Sequence, residues 1–211
     1  SVMKICIING SPRNNKSNSK LIIDYFVPML GKNDISEYSC HDFETDEESI
    51  EDFYKNDAVI FVFPLYVDSI PAPLLKLLIN LEKRKNADSE MTVYVIVNNG
   101  FFEGKQNHIA VGQLKNWAKK VSLKWGQGVG IGSGEMLSYL KKVPLGHGPL
   151  KNLGKALEEF SKNIVNLESG NDIYINPNYP RTLWFIQASL SWFVTAKKNK
   201  LKKRELFKKI Q

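Results

Sequence analysis

Ile5-Cys6-Ile7-Ile8-Asn9-Gly10-Ser11-Pro12-Arg13 is the stretch that decides the fold of this chain of 211 residues. An uninterrupted apolar run leads into a polar loop, and a helical pattern begins at Ser19. A continuous apolar run is typical of a strand that helices cover on both faces, whereas a strand with one solvated face alternates. The stretch therefore predicts the first strand and helix of a parallel α/β sheet.

The same unit recurs along the chain. Strands are predicted at residues 5–8, 34–38, 58–63, 91–97 and 124–131. Helices are predicted at residues 19–27, 46–55, 71–78, 107–121 and 150–167, the third with Pro71 at its first helical position. Because short strands alternate with helices, the sequence predicts the α/β class with a doubly wound parallel sheet.

The composition divides the chain near residue 177. The break Asn176-Pro177-Asn178-Tyr179-Pro180 predicts a domain over residues 1–176 and a C-terminal helical basic extension over residues 177–211. The formal net charge is +7, and residues 197–211 carry eight basic residues against Glu205 alone. Residues 1–196 carry 21 basic and 21 acidic residues, so the high charge does not indicate a nucleic-acid-binding domain.

Cysteine and histidine usage points away from metal chemistry. Cys6 and Cys40 lie in or beside apolar runs, which disfavours a disulfide scaffold, a zinc site or an iron–sulfur cluster and favours a reduced cytosolic setting. His41, His108 and His147 lack metal-ligand spacing, so no metal site is predicted. Residues 1–10 resemble a strand rather than a signal peptide.

The loop after the first strand, called the first loop (residues 9–19), is rich in serine and asparagine. Hydroxyls, backbone N–H groups and the positive end of a helix dipole converge there, which suits a phosphate dianion, with Arg13 or Lys16 adding charge. The loop has neither the P-loop nor the G-x-G-x-x-G pattern. An ordinary turn with a Ser or Asn helix cap is the alternative interpretation.

Two further loops at the same edge are unusual. The second loop (residues 64–73) contains three prolines and the apolar stretch Leu65-Tyr66-Val67. A rigid backbone of this kind is suited to hold its N–H and C=O groups against the polar edge of a planar ligand ring, with Tyr66 or Leu65 on the face of that ring. The third loop (residues 98–104) joins glycines to the adjacent Phe101 and Phe102, which we expect to contact a flat ligand or a second subunit. Alternating glycines are expected to clear one face of the fifth strand for close packing; they are Gly126, Gly128, Gly130, Gly132 and Gly134.

Together the three loops resemble those of the flavodoxin-like NAD(P)H-dependent FMN reductase and quinone reductase superfamily. The resemblance covers roughly residues 3–167 in order and spacing. It implies a flavodoxin-like, five-stranded parallel sheet of order 2-1-3-4-5. It also implies a set of FMN-binding residues, which are Ser11, Arg13, Ser17, Asn18 and Ser19 for the phosphate, Pro64, Leu65, Tyr66 and Val67 along the isoalloxazine, and Asn98, Asn99, Gly100 and Phe101 at its other edge.

The resemblance also implies an activity. FMN takes a hydride from NAD(P)H and passes it to a quinone, a flavin or a similar electrophilic acceptor, so no catalytic side chain is predicted. One alternative is a flavodoxin-type electron carrier without NAD(P)H turnover, and another is a non-enzymatic, membrane-associated flavin-binding protein. The expected partners are a small-molecule acceptor and a second copy in a homodimer.

The tail allows two interpretations. Residues 183–194 are largely apolar and precede the basic run that ends at Lys209. The stretch is shorter than the ~20 apolar residues that a membrane span needs. It is either a helical extension docked on the body or on a dimer partner, or an interfacial helix, in residues 181–211, that gives a cytoplasmic protein peripheral contact with an anionic membrane.

Overall fold

The computed structural model describes residues 1–13, 16–67 and 69–198. Its strands are β1 (Lys4–Asn9), β2 (Asp34–Ser39), β3 (Ala58–Pro64), β4 (Thr92–Asn98), β5 (Lys124–Ile131) and β6 (Ile173–Ile175). Its helices are α1 (Asn18–Phe26), α2 (Glu47–Phe53), α3 (Ala72–Lys83), α4 (His108–Lys120), α5 (Lys151–Asn166) and α6 (Arg181–Lys198). Each predicted strand and helix of the α/β body is present, with its ends within a few residues of the prediction except at the C-terminus of α3, which extends to Lys83.

The sheet is parallel throughout and has the order β2-β1-β3-β4-β5-β6. The predicted order of the first five strands is confirmed, but the predicted number of strands is wrong because β6 adds a sixth. Strand β6 has three residues, all of them half-buried, and pairs with β5 from Val129 to Ile131. A strand so short leaves no apolar run in the sequence, so periodicity does not reveal it.

The strands explain why their sequences are apolar without interruption. Every residue of β3 and β4 is buried. Successive side chains point to opposite faces, so Phe61 packs with α2, α3 and α4, whereas Ile60 packs with α1 and α5. Both faces are covered by helices, as a doubly wound sheet requires.

Prolines lie at the ends of two helices, and one of them differs from the prediction. Pro71 was expected at the first helical position of α3, but it is the residue before the helix, and Pro73 takes the second helical position. Helix α1 ends at Phe26, and a 3-10 turn (Val27–Leu30) that contains Pro28 continues from it. At α3 the missing N–H of Pro73 falls in the first turn, where no helical acceptor is available. Pro28 lies at the end of α1, where a proline cannot continue the α-helical hydrogen bonds.

The glycines of β5 do not share one face. Gly126 is the additional residue of an irregularity opposite Val93 and Tyr94, and a Cβ on it would overlap the Tyr94 ring. A Cβ on Gly128 would overlap Val111 of α4, on the other side of the sheet. The predicted close packing is present, but the neighbours are protein atoms on both faces.

Residues 178–211 form a second compact unit, separate from the unit of residues 1–177. Helix α6 lies in it, so the predicted C-terminal helix is present. The remainder of the predicted basic tail, residues 199–211, lies outside the described residues. Among the residues that are described, no helix is both long and apolar enough to cross a membrane.

Two glycine substitutions test the packing at the end of β5. A Cβ on Gly132 would overlap the carbonyl oxygen of Phe102 and lie 2.7 Å from the Gly104 nitrogen, so Gly132→Ala forces the backbone apart. We expect a loss of at least about 2 kcal/mol in the free energy of unfolding. Gly112→Ala in α4 is the control, because no described atom lies within 4 Å of the added Cβ. It should stabilise the protein by about 0.5–1 kcal/mol. Urea denaturation measures both changes, and equal effects would contradict the packing described.

Candidate functional site

The sheet brings the ends of its central strands to one level. Pro64, Asn98 and Ile131 are direct partners in register across β3, β4 and β5. Asn9, at the end of β1, pairs with Val62, two residues before the end of β3. The three predicted loops and the segment after β5 therefore leave the sheet along the same carboxyl edge, where ligands of open α/β sheets bind.

Hydrogen bonds within the first loop fix its turn. The Gly10 N–H donates to the Val62 carbonyl at 2.8 Å, and the Ser11 N–H donates to Asn9 Oδ1 at 3.0 Å. The Arg13 N–H donates to Ser11 Oγ at 3.2 Å. A Cβ on Gly10 would lie 2.8 Å from both Leu74 Cδ2 and Phe63 Cβ, so this tight passage needs glycine.

Helix α1 begins one residue earlier than predicted, with Ser17 as its N-cap. The Lys20 N–H donates to Ser17 Oγ at 3.1 Å, and the first helical hydrogen bond runs from the Leu21 N–H to the Ser17 carbonyl at 3.2 Å. The N–H groups of Asn18 and Ser19 precede that bond and so have no acceptor within the helix. They lie at the positive end of the helix dipole.

Asn98 connects three of the elements that form this edge. Its side-chain Nδ2 donates to Ser19 Oγ at 3.2 Å and to the Phe63 carbonyl at 3.3 Å, and only 2% of the residue is exposed. Its own carbonyl accepts from the Leu65 N–H at 2.8 Å. Asn98 therefore holds α1, the end of β3 and the second loop in fixed positions.

The second loop separates its three apolar residues. Leu65 is buried and belongs to the core beside α3, so it does not present a free surface. Tyr66 and Ser69 exchange backbone hydrogen bonds of 3.3 and 3.0 Å across a tight turn. Tyr66 is 43% exposed and Val67 is 98% exposed. Of the two residues predicted to lie on a ring face, Tyr66 is the one with a free surface.

The third loop contains an unpaired amide. Asn99 is 4% exposed, and neither its side-chain nitrogen nor its side-chain oxygen has a hydrogen-bond partner among the described residues. Its backbone is held between β5 and the following segment, donating to the Ile131 carbonyl at 3.1 Å and accepting from the Gly134 N–H at 2.8 Å. A buried polar group without a partner costs about 1–3 kcal/mol, so Asn99 is a candidate for hydrogen bonding to a ligand.

The two phenylalanines of the third loop have different environments. Phe101 is 55% exposed, whereas Phe102 is buried. The prediction that both phenylalanine rings are available for contact is therefore wrong for Phe102. The backbone of Phe102 packs directly against Gly132 at the end of β5. Of these two phenylalanines, Phe101 is the one whose ring is available to a ligand or to a second subunit.

The sequence analysis missed a fourth loop (residues 132–139), which follows β5. The Ser133 N–H donates to the Phe101 carbonyl, with Ser133 in the left-handed region at φ 55°. A Cβ on Gly100 would lie 3.3 Å from a carboxylate oxygen of Glu135, an exposed residue of this loop. The signal was the position of Gly132-Ser133-Gly134-Glu135 at the end of a predicted central strand, which was interpreted only as strand packing.

Three basic side chains lie in or next to the first loop, and they differ in whether they are paired with carboxylates. Arg13 and Lys16 are both exposed in the first loop. Lys20 is engaged instead with Glu37 at 2.7 Å and Asp24 at 3.0 Å. Burial lowers the pKa of Lys20, but these two carboxylates outweigh it and raise the pKa overall. The basic groups available to an anion at the first loop are therefore Arg13 and Lys16.

Neither cysteine is placed to act as a nucleophile. Cys6 in β1 is 1% exposed, and burial raises the pKa of its thiol from 9.0 to about 12. Burial also raises the pKa of Cys40. A neutral, buried thiol is a poor nucleophile. The described part of the chain holds no group of three or more His, Cys, Asp or Glu residues suited to a metal ion.

Comparison with known proteins identifies the fold. No protein-family model matches the chain, and no curated protein matches it in sequence. Among solved structures, a short-chain flavodoxin associated with a non-canonical PDU bacterial microcompartment is 14% identical, with a TM-score of 0.59 over 80% of this chain and 100% of that chain.

Two enzymes of known structure resemble this chain about as closely as that flavodoxin does. An FMN-dependent NADH-azoreductase from Bacillus anthracis is 15% identical, with a TM-score of 0.58 over 77% of this chain and 100% of that one. An NADPH-quinone reductase from P. pentosaceus is 16% identical, with a TM-score of 0.54 over 78% of this chain and 98% of that one. The chain therefore has the flavodoxin-like fold that these reductases and flavodoxins share, as the resemblance of its three loops implied.

Proposed function

We propose that the chain binds FMN at the carboxyl edge of its sheet and acts as an NAD(P)H-dependent oxidoreductase on a quinone, a flavin or a similar electrophilic acceptor. The observation that carries this proposal is the set of three buried serine hydroxyls in the first loop, two of which lie at the start of α1. Ser11, Ser17 and Ser19 are each at most 6% exposed. Each hydroxyl oxygen accepts a hydrogen bond from the protein, so each O–H proton is left to donate.

These hydroxyls suit a phosphate dianion. A phosphate accepts several hydrogen bonds through three oxygens and is favoured at a helix N-terminus, where the Asn18 and Ser19 N–H groups have no helical acceptor. Arg13 adds an exposed positive charge from the same loop. The simple helix-cap interpretation explains Ser17 alone, since Ser11 and Ser19 do not cap the helix.

The third loop suits the polar edge of the flavin ring. The unpaired Asn99 amide offers two N–H donors and one acceptor oxygen, and the pyrimidine edge of a flavin carries both kinds of group. The Asn98 side-chain amide donates to Ser19 and Phe63, so it orders the site rather than facing a ligand. Tyr66 and Phe101 are the exposed aromatic rings of the second and third loops, and Pro64 and Leu65 support them from buried positions.

FMN bound at this edge would supply the redox chemistry, namely hydride acceptance from a nicotinamide and electron donation to an acceptor. The chain binds the phosphate, orients the ring through the second and third loops, and limits access of water at its polar edge. We therefore assign no catalytic side chain. We also propose a cytoplasmic homodimer, which the exposed Phe101 ring beside the site supports.

A flavodoxin-type electron carrier is the second candidate. Its specific support is the fold comparison, in which a flavodoxin and an azoreductase have nearly equal TM-scores of 0.59 and 0.58. The two functions differ in one measurable respect, because only the oxidoreductase oxidises NAD(P)H through its bound cofactor.

Ser17→Ala tests the phosphate site. The substitution removes one hydroxyl donor to a charged group, worth about 1.5–3 kcal/mol, so the affinity for FMN should fall about tenfold to a hundredfold. The affinity for riboflavin, which lacks the phosphate, should change little. Quenching of flavin fluorescence during titration measures both affinities.

Asp46→Ala is the matched control for that experiment. Asp46 caps α2 through a 2.8 Å hydrogen bond from the Ser49 N–H. Its substitution therefore removes a helix cap, as Ser17→Ala does, with a similar loss of stability but at a place outside the three loops. FMN affinity should be unchanged. An equal loss of FMN and riboflavin affinity in Ser17→Ala would show a structural effect and would contradict a phosphate site.

The turn that presents Tyr66 is strained, which leads to a separate prediction. Val67 has φ 46°, and a β-branched residue in the left-handed region costs on the order of 1–3 kcal/mol. Because its side chain is almost fully exposed, Val67→Gly loses little packing and should raise the free energy of unfolding by about 1 kcal/mol. Val67→Ala, which removes the branch but keeps a Cβ, should give a smaller gain in urea denaturation. A larger gain from alanine than from glycine would contradict the strained turn.

A further inference from the structure

Helix α6 exposes an unusual amount of apolar surface. Seven of its large apolar side chains are between 39% and 67% exposed, and they are Leu183, Phe185, Ile186, Leu190, Trp192, Phe193 and Val194. Single exposed apolar residues are normal on a protein surface, but a continuous series along one helix marks a binding surface.

The apolar residues surround most of the helix. At 100° per residue, Leu183 and Leu190 lie on the side opposite Phe185 and Trp192. Gln187, Ser191 and Thr195 follow each other at intervals of four residues and form one uncharged polar stripe, while Thr182 and Ser189 interrupt the apolar surface on another side of the helix. A groove on a partner protein covers one face of a helix, whereas this helix needs an apolar medium around most of its circumference.

Positive charge is concentrated in the same part of the chain. Residues 178–211 contain nine basic residues and one acidic residue, whereas residues 1–177 contain 20 basic and 21 acidic residues. Within α6 the charges lie at the two ends, at Arg181 and at Lys197 and Lys198, and residues 182–196 carry none. The surface that binds this helix is therefore apolar in its interior and negatively charged at its boundary.

The length of the uncharged segment limits how deeply it enters. Its 15 residues correspond to about 22 Å of helix at 1.5 Å per residue, which is less than the ~30 Å hydrocarbon core of a bilayer. Both charged ends then remain at the level of the headgroups on one side. Trp184 and Trp192 are the kind of side chain that favours this boundary region.

We propose that α6 binds in the plane of an anionic lipid bilayer, with its apolar side chains among the upper acyl chains, its polar stripe facing water, and the basic residues beside it paired with lipid phosphates. A second copy of the chain is the poorer occupant, because pairing two such units brings two net charges of +8 together. This inference is independent of the proposed flavin site.

The test is flotation of the full chain with vesicles. We expect the protein to float with vesicles of phosphatidylcholine and phosphatidylglycerol in a ratio of about 3:1, and to bind pure phosphatidylcholine vesicles at least tenfold more weakly. Raising the salt from about 0.1 M to 1 M shortens the Debye length from about 10 to 3 Å and should weaken binding to the anionic vesicles.

Paired substitutions locate the binding surface. Leu190→Ser with Trp192→Ser should reduce anionic-vesicle binding at least tenfold. The control is Leu75→Ser with Ile79→Ser on the outer face of α3, where the side chains are 47% and 45% exposed against 59% and 49% for the α6 pair. The control pair should leave flotation unchanged, and circular dichroism confirms that both variants fold.

Three results would overturn the inference. The first is the absence of flotation with the anionic vesicles, and the second is equal flotation with neutral and anionic vesicles. The third is vesicle binding that the α6 substitutions do not change. Concentration-dependent self-association that the α6 pair abolishes, without any vesicle binding by the unsubstituted chain, would identify a second copy as the occupant.

Discussion

The parallel pairing of β1, β3, β4 and β5 brings the ends of β3, β4 and β5 to one level, with β1 ending two residues short of it, and the candidate site depends on that alignment. In-register partners such as Pro64, Asn98 and Ile131 place the loops that follow β3, β4 and β5 side by side, and hydrogen bonds between these loops hold them there. Asn98 then fixes the spacing, since its amide binds the first turn of α1 and the end of β3. A rigid edge of this kind holds serine hydroxyls and backbone N–H groups in place before a ligand arrives.

Most of the fold was predictable because both faces of the sheet are buried. Uninterrupted apolar runs marked β1, β3 and β4, and the helices between them had clear starts and ends. Strand β6 was not predictable, since three half-buried residues at an edge leave no pattern. The side of the sheet that each β5 glycine faces was not predictable either. One additional residue in β5 opposite Val93 and Tyr94 shifts the register, so Gly126 and Gly128 face opposite sides of the sheet.

The site was predictable as a set of loops and less so as a set of side chains. The sequence places Ser11, Ser17 and Ser19 in one loop. Only the structure shows that Ser11 and Ser17 accept from backbone N–H groups, that Ser19 accepts from the Asn98 side-chain amide, and that all three are buried. Leu65 and Phe102 face the core, and the sequence alone does not distinguish them from Tyr66 and Phe101. The unpaired amide of Asn99 and the approach of Glu135 to Gly100 depend on contacts between distant segments, which no local pattern records.

The most direct test of the central claim is the visible absorption spectrum of the FMN-loaded protein during anaerobic addition of NADH or NADPH. A flavin-dependent oxidoreductase predicts that the flavin bands bleach with one equivalent of the nucleotide and return when a quinone is added. Bound flavin whose bands stay unchanged with either nucleotide would identify an electron carrier instead, and a chain that binds no FMN would contradict the assignment of the loops at this edge of the sheet.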